Sequence, residues 1–213
     1  MLFRSGRRKV DSLLALAVLV LVAERPMHPY EMAQVLRERG KHHSIKIKWG
    51  SLYTVVRSLE RHGFIEATGT FRQGRRPERT VYALTDAGRA EMRDWLRELL
   101  AVPEKEFPTF EGALSLAGAL PPEEVQHLLT ERLRRLEAEL AEVRSELAAL
   151  TPELPRVFLI EAEYAAAMRQ AEAEWIRGLL SELADGSLSG LDVWRQFHRQ
   201  APAPREGGEP ASS

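Results

Sequence analysis

The sequence predicts a mainly α-helical protein with one small β-hairpin, and three observations lead to this fold class. Residues 50–59 place four aliphatic side chains at helical spacing, which gives a short helix one apolar face. Residues 79–84 alternate as a half-buried strand does, after a basic turn at residues 72–77. Residues 129–150 repeat leucine and valine at alternating spacings of four and three, the heptad pattern of a coiled-coil face. We therefore predict an N-terminal winged helix-turn-helix domain (α+β) and a C-terminal, all-α helical-hairpin or coiled-coil domain.

Four helices and the hairpin are expected in the first domain, residues 11–100. Asp11 can cap the first helix, which Pro26 ends. Pro29 stands where the first turn of a second helix tolerates proline, and Gly40 ends that helix. The second, third and fourth helices are expected over residues 29–40, 50–62 and 85–100.

The first helix resembles the apolar part of a signal peptide, because Arg4, Arg7, Arg8 and Lys9 precede it. Its apolar run of about 12 residues is too short for a bilayer, which needs ~20. The chain then continues directly into another helical pattern. We therefore expect a buried core helix and no membrane contact. The basic arm before it, residues 1–10, either contacts phosphates or is a disordered terminus.

A proline-containing linker with a short helix, residues 101–120, leads into the helical domain at residues 121–198. Pro122 and the carboxylates after it suit the first turn of a long helix. A turn at residues 151–155 precedes a second long helix, so the two should form an antiparallel hairpin. The tail, residues 199–213, has the composition of a disordered segment.

A single helical hairpin leaves apolar surface uncovered, and a second copy of the chain is its natural partner. We therefore expect a homodimer. The residues predicted to lie at the dimer interface are the heptad positions and one tryptophan of the second long helix: Leu129, Leu133, Leu136, Leu140, Val143, Leu147, Leu150 and Trp175.

Charge is unevenly distributed along the chain, although the net charge is only −1. Residues 1–100 contain 19 basic and 11 acidic residues, a balance of +8, whereas residues 101–213 contain 11 and 20, a balance of −9. This asymmetry indicates a unit that faces nucleic acid joined to a unit with another task. The absence of cysteine excludes disulfides and thiolate metal sites, and it fits a reducing cytoplasm.

The third helix and the hairpin tip hold the residue types that bind duplex DNA. A recognition helix enters the major groove with its N-terminal residues nearest the bases. Arg57 can contact guanine in bidentate fashion, which discriminates by roughly 1–3 kcal/mol. The arginine-rich tip either lies along a backbone or minor groove or is a solvated loop. The predicted DNA-binding residues are Tyr30, Lys46, Lys48, Gly50, Ser51, Tyr53, Thr54, Arg57, Arg61, Arg72, Arg75 and Arg76.

Two other classes of protein are weighed against a DNA-binding one. An enzyme is disfavoured, because the six histidines are scattered without ligands at metal spacing and no phosphate-binding or nucleophile motif is present. We expect no metal and no cofactor. A helical interaction or adaptor protein that uses a winged helix against protein remains the alternative. The cationic outer face of residues 50–62 argues against it, since a protein-binding surface would more often be apolar.

Five short motifs follow one another within residues 13–100. They are Pro26-Met27-His28-Pro29-Tyr30-Glu31, Gly50-Ser51-Leu52-Tyr53, Leu59-Glu60-Arg61-His62-Gly63-Phe64-Ile65, Gly74-Arg75-Arg76-Pro77 and Val81-Tyr82-Ala83-Leu84-Thr85-Asp86-Ala87-Gly88. In this order they resemble the PadR family of bacterial transcriptional regulators. The acidic helical remainder resembles, more loosely, the dimerisation domain of the family's longer members. Two positions depart from the family pattern: Pro29 replaces a common glycine, and Thr54 replaces a common proline.

The resemblance implies a homodimeric repressor that binds a palindromic operator in the bacterial cytoplasm, and a small-molecule effector that releases it. Trp95, on the fourth helix, would stack against a flat effector, as an aromatic residue does in some family members, or it packs in the core. Because Thr54 is expected on the DNA-facing side, the operator preference should differ from the family's usual one.

Overall fold

The computed structural model describes residues 8–71 and 79–200 of the chain. The chain divides into two units, residues 1–105 and 106–213. The described elements are α1 (Leu13–Glu24), α2 (Pro29–Glu38), α3 (Leu52–Arg61), β1 (Ile65–Phe71), β2 (Arg79–Leu84), α4 (Asp86–Ala101), α5 (Thr109–Ser115), α6 (Pro122–Leu150), α7 (Ile160–Asp185) and α8 (Leu191–Gln200). The predicted fold class is confirmed: mostly helical, with one two-stranded sheet.

Helix α1 lies at the centre of the first unit and contacts α3, α4 and β2. It is apolar around most of its circumference because neighbours cover it on several sides; Ala15, Val18 and Leu19 are completely buried. This is the buried helix that the sequence predicts. Within the described residues, no helix combines the length and the apolar composition that crossing a bilayer requires.

The ends of these helices follow local chemistry, with one correction to the prediction. Ser12, not Asp11, caps α1: its side-chain oxygen accepts a hydrogen bond from the amide of Ala15 at 3.3 Å. An N-cap acts on amides two or three positions ahead, and the helix begins one residue later than Asp11 would require. Gly40 and Gly63 follow the ends of α2 and α3 with φ of +62° and +73°, a left-handed conformation that favours glycine.

The hairpin is antiparallel, with Ile65 opposite Leu84 and a bulge between Ala67 and Gly69. The segment before α2 adds to it through two backbone hydrogen bonds of 3.0 Å between Met27 and Tyr82. The backbone entering α2 and the hairpin after α3 are therefore connected, which fixes both ends of the helix-turn-helix to one small sheet.

The second unit is built on the α6–α7 hairpin, and its packing buries several residues of the predicted dimer interface, which stays a prediction. Leu129 and Leu136 of α6 lie in one core with Ile176 and Leu183 of α7, and Leu140 is also buried. These heptad positions are covered within one protomer, so they are not available to a partner in this structure. The heptad pattern shows that a face must be covered and does not say which helix covers it.

Other interactions complete the second unit. The indole nitrogen of Trp194, on α8, donates to the carbonyl of Leu120 at 2.9 Å. The guanidinium of Arg132 lies 3.8 Å from the ring centre of Phe110, and that ring meets Trp175 edge-on at 6.3 Å. These interactions hold α5 and α8 against the hairpin.

Candidate nucleic-acid interface

Helix α3 has one buried face and one exposed face. Leu52 and Val56 point into the core with exposed fractions of 2% and 1%, and Leu59 is fully buried. Thr54 and Arg57 are exposed on the other side. Because the inward side chains fix the rotation of the helix about its axis, the outward residues are presented as one surface.

The turn that precedes α3 is a short 3₁₀ turn, Trp49–Ser51. The hydroxyl of Ser51 donates to the carbonyl oxygen of Lys48 at 2.7 Å, which leaves its oxygen as an acceptor. Lys46 and Lys48 are exposed, as is Gly50. The structure thus brings these predicted residues to the N-terminal end of α3, where the two lysines suit a phosphate.

Two aromatic side chains stand outside the core close to this surface. Tyr53, on α3, is 51% exposed, and Tyr30, at the start of α2, is 59% exposed. The ring of His28 accepts a hydrogen bond from the Tyr30 amide at 3.1 Å and so caps α2. Exposed tyrosines can donate to phosphate oxygens, and helices α2 and α3 are in contact.

A cation–π contact that sequence reasoning missed supports the recognition helix. The guanidinium of Arg37, on α2, lies 4.0 Å from the ring centre of Trp49, immediately before α3. It connects the end of α2 to the turn that positions Ser51. The contact depends on tertiary structure, because Arg37 and Trp49 lie on different elements.

The acidic neighbour of the surface is Glu60, the last-turn carboxylate of α3. The hydroxyl of Tyr82, on β2, approaches it at 3.5 Å, and burial together with this carboxylate raises the pKa of Tyr82. The Tyr82 hydroxyl therefore acts as a donor toward this carboxylate.

The structure does not describe the predicted arginines of the hairpin tip, and it corrects the prediction for Arg8 of the basic arm. Arg72, Arg75 and Arg76 lie outside the described residues. The basic arm that the sequence predicts as a phosphate contact or a disordered terminus includes Arg8, but the guanidinium of this residue pairs with Glu91 and Glu98 of α4. Its charge is therefore neutralised within the protein.

Trp95 lies beneath the same arginine. It is 4% exposed, belongs to the core of the first unit, and has the Arg8 guanidinium 5.3 Å from its ring centre. This burial favours the packing interpretation of Trp95 over the effector-stacking one.

Comparison with known proteins matches the first unit to transcriptional regulators. The model of the transcriptional regulator PadR-like family matches residues 18–94, which span most of α1 through most of α4. The negative transcriptional regulator PadR of Bacillus subtilis is 27% identical over 129 residues, 60% of this chain and 69% of that protein. A probable transcriptional regulator of Mycobacterium tuberculosis is 34% identical over 89 residues, 40% of this chain and 44% of its own length.

The fold is also similar to solved structures. The crystal structure of Bacillus subtilis PadR in complex with operator DNA has a TM-score of 0.66 at 23% identity, covering 80% of this chain and 97% of that one. The same regulator in complex with p-coumaric acid gives a TM-score of 0.66 at 21% identity, over 81% and 99%. The described winged-helix unit holds the matched region, and residues 18–94 therefore form a domain of the PadR-like family of transcriptional regulators.

Proposed function

We propose that this regulator is a homodimeric repressor in the bacterial cytoplasm, and that α3 reads its operator from the major groove. The observation that supports this most is the two-sided character of α3: Leu52, Val56 and Leu59 hold it to the core while Thr54 and Arg57 are exposed on its outer face. The complex of Bacillus subtilis PadR with operator DNA supports duplex DNA as the partner of this fold.

Within this proposal the residues around α3 have two kinds of role. Arg57 reads a base, because a guanidinium can donate twice to a guanine edge. Thr54 and Ser51 make weaker hydroxyl contacts. Lys46 and Lys48 bind phosphates and set the register of the helix in the groove without selecting sequence.

We further propose that the dimer uses the outer face of α7. Tyr164, Met168 and Trp175 lie on one side of this helix and are 69%, 50% and 51% exposed. Side chains of this size rarely form an exposed stripe on a protein that stays monomeric. A two-fold axis would place the two α3 helices in successive major grooves, about 34–36 Å apart.

A small-molecule effector is part of the proposal because Bacillus subtilis PadR has been crystallised with p-coumaric acid. To release DNA, an effector must bind the DNA-free conformation more tightly than the DNA-bound one. The buried position of Trp95 directs the search for such a site to other parts of the chain.

Fluorescence anisotropy tests the DNA-binding role. A labelled duplex from the region upstream of the protein's own gene is compared with an unrelated duplex across a salt series. We expect specific binding at least about 10³-fold tighter than non-specific binding. Arg57→Ala should weaken specific binding by roughly 5–150-fold, the equivalent of one base contact.

The matched control is Arg97→Ala, which removes an exposed arginine of α4 that pairs with Asp94 and lies outside the proposed surface. It should bind as the wild type does. Wild-type affinity in Arg57→Ala would contradict the assigned recognition face. Equal binding of both duplexes by the wild-type protein would favour a different partner for the winged helix.

Sedimentation velocity tests the dimer. Trp175→Glu places a charge in the proposed interface and should convert the dimer to monomer at micromolar concentration. Because Trp175 is half exposed within the protomer, circular dichroism should show an unchanged helix content. A dimer that persists in this variant would show that α7 is not the interface.

A further inference from the structure

A cavity of about 460 Å³ lies between the N-terminal end of α1 and the segment that leads into α3. The cavity is open to solvent on one side, and its volume lies within the roughly 300–1,000 Å³ of small-molecule sites. Four aliphatic side chains, Leu13, Leu14, Ile45 and Val55, line it. All of these residues belong to the first unit, and neither the DNA-binding proposal nor the dimer proposal explains an apolar cavity here.

The cationic part of the lining consists of Lys46 and Lys48. Both side chains are exposed, and neither forms an ion pair with another described residue. Among the described residues that line the cavity, none is acidic. An apolar floor with two ammonium groups beside it fits a ligand with an apolar body and one negative group.

Two serines complete the lining, and their hydrogen bonds limit what they can offer. The Ser12 oxygen accepts from the amide of Ala15 at 3.3 Å, as the cap of α1. The Ser51 hydroxyl donates to the Lys48 carbonyl at 2.7 Å. Because the Ser51 proton is committed to the backbone, the lysines must supply the main attraction for an anion.

We propose that this cavity binds a medium-chain aliphatic carboxylate, with the acyl chain against Leu13, Leu14, Ile45 and Val55 and the carboxylate beside Lys46 and Lys48. The described lining contains no aromatic side chain that would stack on a flat ring, and this favours an aliphatic body. Burial of each methylene contributes about 0.8 kcal/mol, so chain length should control affinity.

The consequence for regulation rests on the DNA-binding function proposed above. Lys46, Lys48 and Ser51 belong both to the cavity and to the proposed phosphate-binding end of α3. A bound carboxylate neutralises the lysines, and it should weaken operator binding. By thermodynamic linkage, operator DNA then weakens carboxylate binding by the same factor. The slope of log affinity against log salt should become shallower by about 0.9 for each phosphate that the lysines no longer neutralise.

Isothermal titration of the full-length, DNA-free protein tests the site itself, with octanoate as the probe. Octanol has the same chain without the charge, and inorganic phosphate has the charge without the chain. We expect octanoate to bind at one site per protomer, and both controls to bind at least about tenfold more weakly. Equal binding of octanoate and octanol would overturn the role of the lysines, and undetectable octanoate binding would overturn the site.

Variants test the cationic and the apolar residues of the lining separately. Lys46→Gln/Lys48→Gln should weaken octanoate at least about tenfold through the lost charge, and Leu13→Gln should independently weaken it about tenfold through lost contact with the acyl chain. Leu13 is 45% exposed, so this change should leave the fold intact. Lys9→Gln removes a charge that does not line the cavity and should have no effect. Wild-type octanoate affinity in the double lysine variant would contradict the proposal.

Operator binding measured with and without octanoate tests the coupling. Lower DNA affinity and a shallower salt slope are expected. If octanoate binds and DNA affinity does not change, the regulatory part of the inference is wrong. Failure of the wild-type protein to prefer any operator would contradict the proposed function instead, and the titration result would stand by itself.

Discussion

Gly88 occupies the third position of α4, directly against the start of the hairpin. A Cβ atom built at this residue would lie 1.9 Å from the carbonyl oxygen of Phe64 and 2.9 Å from a methyl carbon of Leu84. Ordinary van der Waals separation begins at 3.4 Å, so Gly88→Ala requires the helix and the Phe64 carbonyl to separate by about 1.5 Å. The obstacle at Phe64 is backbone, which cannot rotate away as a side chain can.

The same carbonyl is a structural acceptor, which raises the cost of moving it. It accepts hydrogen bonds from the amide and from the hydroxyl of Thr85, both at 3.1 Å. Breaking each bond costs about 0.5–1.5 kcal/mol, and overpacking costs about 1–3 kcal/mol. The higher helix propensity of alanine offsets up to about 1 kcal/mol of this loss of stability. The net expected loss of unfolding free energy is therefore about 1–6 kcal/mol.

Urea and thermal unfolding followed by circular dichroism measure this loss. For a domain of this size, about 1 kcal/mol lowers Tm by roughly 4–8 °C. The matched control is Gly112→Ala, in α5, where a Cβ meets nothing within 4 Å. That variant should be as stable as the wild type or slightly more so. A Gly88→Ala protein with wild-type stability would refute the close packing of α4 on the hairpin.

Three further predictions concern stability. Arg39 donates two hydrogen bonds to Glu24, at 2.5 and 2.7 Å, and these bonds lower the pKa of that carboxyl group from its ordinary 4.5. The ion pair contributes its full stability above the pKa that the Glu24 carboxyl group has in the unfolded chain. This stability is lost as the pH falls through the lower pKa that Glu24 has in the folded protein. Arg39→Gln should therefore cost about 0.2–1 kcal/mol at pH 7 and little at strongly acidic pH, as urea titrations at both would show. Ser12→Ala removes the cap of α1 and should cost about 0.5–2 kcal/mol; an unchanged urea midpoint would argue against the cap. Leu129→Ala, in the hairpin core, should cost about 2–5 kcal/mol by chemical denaturation. Leu128→Ala, at a 50% exposed neighbour, should stay within about 0.5 kcal/mol, and equal losses would contradict the orientation of α6.

The local elements and the two faces of the recognition helix follow from the amino-acid sequence alone. Periodicity is a property of a few consecutive turns, so the inward position of Leu52 and Leu59 and the outward position of Arg57 follow from spacing alone. Helix ends at Gly40 and Gly63 follow from the left-handed backbone that glycine tolerates. The family resemblance rests on this same local order of motifs.

Which surfaces contact each other depends on the tertiary fold. Arg8 finds its carboxylates 83 and 90 residues away, and nothing in the basic run around it indicates such a partner. Leu129 and Leu136 of α6 are covered by α7 of the same chain, since an apolar face specifies that it must be buried but not by which helix. The cavity beside Lys46 likewise depends on how α1 approaches the segment before α3. Each of these features arises from contacts between segments distant in sequence, and local spacing carries no information about them.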